Sequence, residues 1–327
     1  VMRVRASVLG KEAAVLEKKF AEEETRFLAS GAYLSALAVD RNLEALNDII
    51  RESEKDIKEA EDLKEKGLIL GADFYLAKMI YGNLKMMRTK LEKEKTTARI
   101  LMNIMAGAWY DRPLNLSGTL PETYNEPAAL SEIIDEALKN RPDLVAMDMN
   151  VQAQKAELSR EKLSFLPKVA GFGGVQENSN DLLSGGASYE VGVKTELDVF
   201  DPSYSGRVKE QKEKLRKLKR AKESLKDRIS SDIVKEYYGY YSVVDSAPDL
   251  NGVLSDAKEA VSMMGPLYKE GRKSIADLME IRQQYYKALE AHNNLLMAEK
   301  TMALKLRFVS GLLDEAVIIE LNNEIGR

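Results

Sequence analysis

The sequence predicts a mainly α fold with a small β part, built on a duplication, and three observations carry that expectation. Apolar residues recur at alternating spacings of three and four along most of the chain, the period of long coiled-coil helices. The chain matches itself when shifted by 204 positions. Between Ser188 and Phe200 the period changes to two, the mark of a strand.

Composition removes several function classes first. With 44% apolar and 31% charged residues, the 327-residue chain can bury one large core or two ordinary ones. Its formal net charge is -4, with Lys and Arg interleaved among Asp and Glu, which leaves no electrostatic footprint for nucleic acid. Without cysteine there is no disulfide framework or thiolate chemistry, and the lone His292 leaves little for metal or acid-base work. No run approaches the eighteen apolar residues of a membrane-spanning helix, although a transmembrane β-barrel leaves no such run. Nor does a secretion leader open the chain at Val1.

The duplication fixes the frame for every element. The shift of 204 aligns Gly67 with Gly271, Asp73 with Asp277 and Gly107 with Gly311 without a gap. Between and around these landmarks it also pairs Arg3 with Arg207, Lys18 with Lys222, Tyr33 with Tyr237, Leu46 with Leu250, Tyr81 with Tyr285 and Thr97 with Thr301.

Residues 1–107 then read as a first helical hairpin. A helix from Val4 to Glu65 is about 90 Å long at about 1.5 Å per residue, a rod with no core of its own. Its stripe, Leu43, Leu46, Ile50, Ser53, Ile57 and Ala60, must be buried against other rods, as must Leu76, Ile80, Met87, Leu91, Ala98, Leu101 and Met105 of the returning arm. Residues 108–126 carry Pro113 and Pro121 and form a linker. Residues 127–167 read as an amphipathic helix ended by Pro167 and interrupted or restarted near Pro142. In 168–204 a strand from Lys168 to Gln176 pairs with one in which Tyr189, Val191, Val193, Thr195, Leu197 and Val199 face one way, and Glu190, Gly192, Lys194, Glu196 and Asp198 the other. Membrane strands and a soluble hairpin lying on a helix both fit that alternation.

Residues 205–311 repeat the hairpin, with the seam Leu278, Ile281, Tyr285, Ala288, His292, Leu295, Glu299, Met302, Leu306, Val309 and Leu313 in its second arm, and 312–327 form a tail. Gly67 and Gly271 suit left-handed helix ends, and Ser274 followed by Asp277 is a capping-box variant at the start of the outgoing helix. His292 lies within the apolar seam and reads as a core histidine. Gly171, Gly173 and Gly174 open no helix, so they make no phosphate loop, and the tyrosines at 237, 238, 240 and 241 have no basic groove beside them. Nowhere do a nucleophile, a base and an orienting group fall together, and no enzyme is expected.

These residues carry a family likeness. "LKNRPDL", "LSFLPKV" and "YEVGVKTELDVF", with the paired turns "KGLILGADFYLAK" and "EGRKSIADLMEIR", resemble a TolC-like outer-membrane efflux protein, a family that is itself a duplication. The resemblance implies a homotrimer whose protomers share a 12-stranded barrel in the outer-membrane lipid, continued by an α-barrel of helices across the periplasm. It implies lipid-facing strands, and an equatorial place for 108–126 and 312–327. By the shift of 204, the helix and strands of 127–204 expect a counterpart before Val1, about 80 residues and a leader. The implied function is a passive export duct, opened at its periplasmic tips by a periplasmic adaptor protein and an inner-membrane transporter, with no cofactor.

The same likeness assigns the tips. Asp73, Tyr268 and Lys273 match gate positions, where Tyr268 is expected to donate to Asp73. In a trimer, Asp277 and Glu280 recur as two rings of three acids that attract cations. Gly67, Leu68, Ile69, Leu70, Gly271, Ser274, Ile275 and Leu278 are expected to meet the adaptor. Capping accounts for Asp277 without a gate, coiled-coil core accounts for Leu278, and a soluble coiled-coil scaffold or adaptor-type hairpin protein is the rival reading of the whole chain.

Overall fold

The structure, a computed structural model, describes residues 2–114, 116, 118–121, 127–164, 166–178, 186–196 and 201–326. Its helices and strands run in the order α1 (Met2–Glu65), α2 (Gly71–Met105), α3 (Leu130–Asn140), α4 (Pro142–Leu163), β1 (Lys168–Asn178), β2 (Gly186–Glu196), α5 (Tyr204–Lys269), α6 (Ile275–Val309) and α7 (Glu315–Ile325). The segment between the hairpins is two helices, because Pro142 has no N–H for an interior helical bond and starts α4 instead.

Four helix ends share one chemistry. Gly67, Gly107, Gly271 and Gly311 have φ of 70°, 68°, 69° and 74°, where a side chain would clash with the following carbonyl. Each turn closes by the same two bonds. Leu68 N donates to Leu63 O and Gly67 N to Lys64 O at 2.9 Å, and Arg272 N donates to Leu267 O and Gly271 N to Tyr268 O at 2.9 Å. Ala108 and Gly107 close on Asn103 and Ile104, and Leu312 and Gly311 on Arg307 and Phe308, in the same pattern. Every pair is displaced by the shift read from the sequence, so the duplication persists in backbone geometry.

The chain divides into two compact units, each drawing on both copies of the repeat. One comprises residues 1–20 and 139–228. Here Lys222 of α5 pairs with Asp148 of α4 at 2.5 Å, and the Arg141 guanidinium lies 5.2 Å over the Phe20 ring. At the exit from the strands Arg207 bridges Asp201 and Glu161, both at 2.5 Å, and holds the Asp201 carboxyl well below the usual carboxylate range. β1 and β2 pair antiparallel from Lys168 opposite Glu196 to Asn178 opposite Gly186. That register puts Val169, Gly171, Gly173 and Val175 on one face with Thr195, Val193, Val191 and Tyr189. On the other face Phe172 lies opposite Gly192, and its ring fills the space where a Cβ on Gly192 would sit, 2.6 Å from Cζ.

The second unit, residues 21–138 and 229–327, holds three apolar cores along the hairpins. Leu34, Leu37, Leu120, Leu296, Leu304, Leu313, Leu321 and Ile325 gather where α7 packs, and Thr119 N donates to Ile325 O at 2.9 Å. Leu43, Leu46, Ile49, Ile50, Leu84, Leu91 and Tyr286 form the middle core, and Ile57, Ala60, Phe74, Ala77, Ile80, Tyr268, Ile275, Leu278 and Met279 the core at the tips. The burial face of α6 is wider than its 3-4 stripe. Leu278, Ala288, Glu299, Leu306 and Val309 are buried as expected, but Ile281, Tyr285, His292, Leu295 and Met302 are half-buried, while Met279, Tyr286, Asn293, Leu296 and Lys300 are fully covered. α6 meets α1 and α2 as well as its own hairpin mate, and several neighbours require a wide face.

Two glycine substitutions separate the turn from the helix. Gly271→Ala puts a Cβ at positive φ and is expected to destabilise by about 1 kcal/mol. Gly252→Ala, exposed within α5 with nothing near its Cβ position, is expected to stabilise by about the same amount. Denaturant unfolding followed by circular dichroism measures both; equal signs contradict the assignment.

Candidate functional site

Most of the residues singled out for the tips lie within one stretch of structure, the two turns and the first two turns of α2 and α6. The turns are built alike and finished differently. At the second, Ser274 is the N-cap of α6: its Oγ accepts from Asp277 N at 3.1 Å, and Asp277 Oδ2 accepts from Ser274 N at 3.0 Å. Those bonds, chiefly the one from the Ser274 backbone, hold the Asp277 carboxyl below its ordinary range. At the first turn Leu70 stands in the place of Ser274 and offers no hydroxyl, so Asp73, the counterpart of Asp277, closes no box.

The apolar residues divide in the same way. Leu68 and Leu70 are 68% and 70% exposed, and Ile69 is half-buried against the tip core. Ile275 and Leu278 were expected at the docking surface, and the structure corrects this. Both lie in the tip core, 1% exposed, because α6 begins one residue after Ser274 and turns them toward α1 and α2. Around the first tip Tyr75 and Met79 are exposed, and Lys64 lies 4.8 Å over the Phe74 ring and 5.2 Å over that of Tyr75.

Tyr268 also departs from expectation. Its ring is buried, its hydroxyl has no hydrogen-bond partner, and no bond joins it to Asp73 among the described residues. Burial, with the Glu59 and Asp56 carboxylates, pushes the phenol up to about 12. Lys273 and Glu280 are exposed. Sequence reasoning missed the charge beside Tyr268: Arg282 of α6 reaches α1, with Nη1 2.5 Å from Asp56 Oδ2 and Nη2 3.7 Å from Glu52. The first is a close ion contact rather than an aligned hydrogen bond, and burial raises the Asp56 pKa although Arg282 opposes the shift. Arg282 adjoins the seam residue Ile281, which was the one local sign of it.

The strand pair is the second feature. Val169, Val175, Tyr189, Val191 and Val193 share one face, and all are exposed, Val191 by 90%. Thr195 lies on that face, whereas Leu197 and Val199 are outside the described residues. Glu190, Lys194 and Glu196 mark the opposite face. Such an uncovered apolar face is what a bilayer, not water, accommodates. No described helix is long and apolar enough to cross a membrane.

The outer membrane efflux protein family model matches residues 133–312, and the chain belongs to that family. Its fold is shared by the outer-membrane channel OprN at TM-score 0.84 and 16% identity, covering 95% of this chain and 71% of that one. The Campylobacter jejuni CmeC outer membrane channel aligns at TM-score 0.81 and 15% identity over 99% of this chain and 71% of its own. The Neisseria gonorrhoeae MtrE outer membrane channel, solved in an open state, aligns at TM-score 0.81 and 17% identity over 96% and 72%. No curated protein sequence matches the chain. The family is one of transport channels, not enzymes.

The capping box gives a pH-dependent prediction. Asp277→Ala is expected to cost about 1 kcal/mol near neutral pH. The folded carboxyl titrates below its ordinary value, so the box stabilises fully above about pH 4 and its contribution fades as pH falls through the folded pKa. Unfolding of wild type and variant from pH 7 downward checks this; a gap that widens in acid contradicts the sign.

Proposed function

We propose that this protein is the passive duct of a tripartite export system, a homotrimer set in outer-membrane lipid by its strands with its helices in the periplasm. One observation carries the assembly. Several side chains buried on α1 and α6 have counterparts, one repeat away, left uncovered on α5 and α2. Met279 is 0% exposed and its counterpart Tyr75 62%; Ile49 is 6% exposed and Val253 55%. Leu46 is fully buried and its identical counterpart Leu250 half-buried. A second copy supplies what is missing: α5 of one chain meets α2 of the next as α1 meets α6 within a chain. That joint is head-to-tail, and repeated by a closing rotation it gives a ring with a central passage.

The remaining assignments follow from the ring. The apolar face of β1 and β2 meets lipid. Asp73, Tyr268, Lys273, Asp277 and Glu280 surround the closed mouth, where the acids of three chains favour cations and repel anions. Leu68 and Leu70, with Ile69, are the apolar tip that a periplasmic adaptor's helical hairpin covers, and an inner-membrane transporter supplies the energy. The two turns of 1–107 and 205–311 share this work unequally, since only the first presents an apolar crest.

Cross-linking tests the ring. The Asn42–Asn293 contact has Ser246 and Thr89 as counterparts, and the chain contains no cysteine of its own. Thr89→Cys with Ser246→Cys, treated with a short bis-thiol reagent, is expected to give dimer and trimer bands from the full-length protein extracted from outer membranes. Monomer alone, or a protein that stays soluble without detergent, overturns the reading. In planar bilayers Asp277→Asn with Glu280→Gln is expected to weaken block by polyvalent cations about tenfold; undiminished block removes these acids from the mouth.

A further inference from the structure

The acidic net charge of the chain conceals one local excess of the opposite sign. Residues 207–222, near the start of α5, carry nine bases and two acids, whereas the matching residues 3–18 of α1 carry four bases and two acids. Four of the nine bases are paired. Arg207 bridges Asp201 and Glu161, Lys222 meets Asp148 at 2.5 Å, Lys214 meets Glu210 at 2.6 Å, and Arg216 lies 3.8 Å from Glu213. The other five, Lys209, Lys212, Lys217, Lys219 and Arg220, are exposed and make no ion pair among the described residues. At about 100° per residue, Lys209, Lys212, Lys219 and Arg220 share one side of the helix with Arg216, a stripe about 17 Å long. On α1 the same positions hold Arg5, Val8, Glu12, Val15 and Leu16, so the stripe belongs to the second copy.

The stripe lies clear of the helix contacts. α4 meets α5 at Arg207, Gln211 and Lys222, through Glu161, Gln154 and Asp148. The repeat marks a second flank. Glu17 accepts from Asn150 Nδ2 at 3.3 Å and Phe20 lies beneath the Arg141 guanidinium, so α1 turns these two residues to α4, and their counterparts on α5 are Ala221 and Ser224. In the proposed ring a neighbouring rod covers that flank. The two flanks are about 100° apart around the axis of α5, and the stripe lies opposite the point midway between them. A rod in a closed ring turns the narrow angle between its neighbours to the central passage and the wide angle outward. The stripe therefore faces away from the passage, on the outside of the duct.

Its chemistry selects the partner. No large apolar side chain of α5 is exposed between Tyr204 and Arg228, and a folded protein partner needs an apolar or aromatic centre to its contact. Three of the five stripe residues are lysines, hydrated point charges on flexible stems that suit a polyanion without fixed geometry. Lipid headgroups lie too near the strands. The stripe begins about 8 Å along α5 and ends about 24 Å along it, while a charged surface is screened over about 8 Å.

We propose that this stripe binds peptidoglycan, the cell-wall polymer of the periplasm, through the free carboxylates of its peptide stems, and so ties the duct to the wall around it. The proposal rests on the ring and on the setting described above.

Sedimentation gives the test. The full-length protein in zwitterionic detergent is mixed with purified peptidoglycan sacculi at low salt and pelleted. Lys209→Gln, Lys212→Gln, Lys219→Gln and Arg220→Gln together are expected to cut the bound fraction about fivefold or more, and about 0.5 M salt to do the same to the unaltered protein. Lys55→Gln, Lys93→Gln, Lys258→Gln and Lys287→Gln, an equal change of charge on exposed lysines elsewhere, are expected to leave binding within about twofold. Lys209→Arg, Lys212→Arg and Lys219→Arg keep the charge and are expected to keep the binding, whereas amidation of the sacculus carboxylates is expected to abolish it. Equal pelleting of the stripe variant and the unaltered protein, loss of binding in the arginine variant, or undiminished binding to amidated sacculi overturns the proposal. Pelleting with anionic phosphatidylglycerol vesicles but not with sacculi assigns the stripe to headgroups and overturns it as well. All of these failures leave the duct standing, whereas a protein that yields no trimer on cross-linking overturns ring and stripe together.

Discussion

A helix of more than sixty residues has no interior, so its apolar stripe can be hidden only by other helices. Nearly everything in this protein answers that constraint. The hairpin returns α2 and α6 along α1 and α5, the short connection keeps each arm beside its mate, and three successive cores line the paired arms. A hairpin remains only two helices wide, and one flank of each stays open until another hairpin covers it. Within the chain, α6 and α1 close one such flank. The matching flank, on α5 and α2, carries the exposed Tyr75 and Val253, and its chemistry calls for the same kind of neighbour.

Duplication supplies that neighbour's design and also allows the copies to diverge. Backbone features that any hairpin of this kind requires, the four left-handed glycines and their paired turn bonds, are kept in both halves. Features that the backbone does not require have been redistributed. The serine cap is found at one tip and an exposed leucine at the other, so one end is closed by hydrogen bonds while the other presents grease. Among the described hairpin helices, prolines lie only in the incoming helix of the second half.

What could be read from the sequence follows the range of the forces involved. Positive φ is a single-residue requirement, so Gly67 and Gly271 announced their turns, and the Ser274–Asp277 box spans three residues and was equally legible. Strand alternation was visible for the same reason. Burial depends on neighbours, and there the reading was less complete. A 3-4 stripe assumes one contact face, whereas α6 packs on more than one helix, which is why Tyr286 and Asn293 are covered and Tyr285 and His292 only partly so. Ile275 and Leu278 look like a greasy turn in the sequence, yet the direction in which α6 leaves the turn makes them core. Arg282 and Asp56 are hundreds of positions apart, and only the pairing of α6 with α1 shows that they meet.

The phenylalanine on the charged side of the strand pair has a consequence of a different kind. Because the Phe172 ring rests where a Cβ at position 192 would sit, the two sites are coupled in heredity as well as in space. A larger residue at 192 requires the exposed Phe172 ring to swing aside, and a smaller one at 172 leaves the glycine strand without its cover. Among descendants of this gene, those two codons should therefore change together rather than independently.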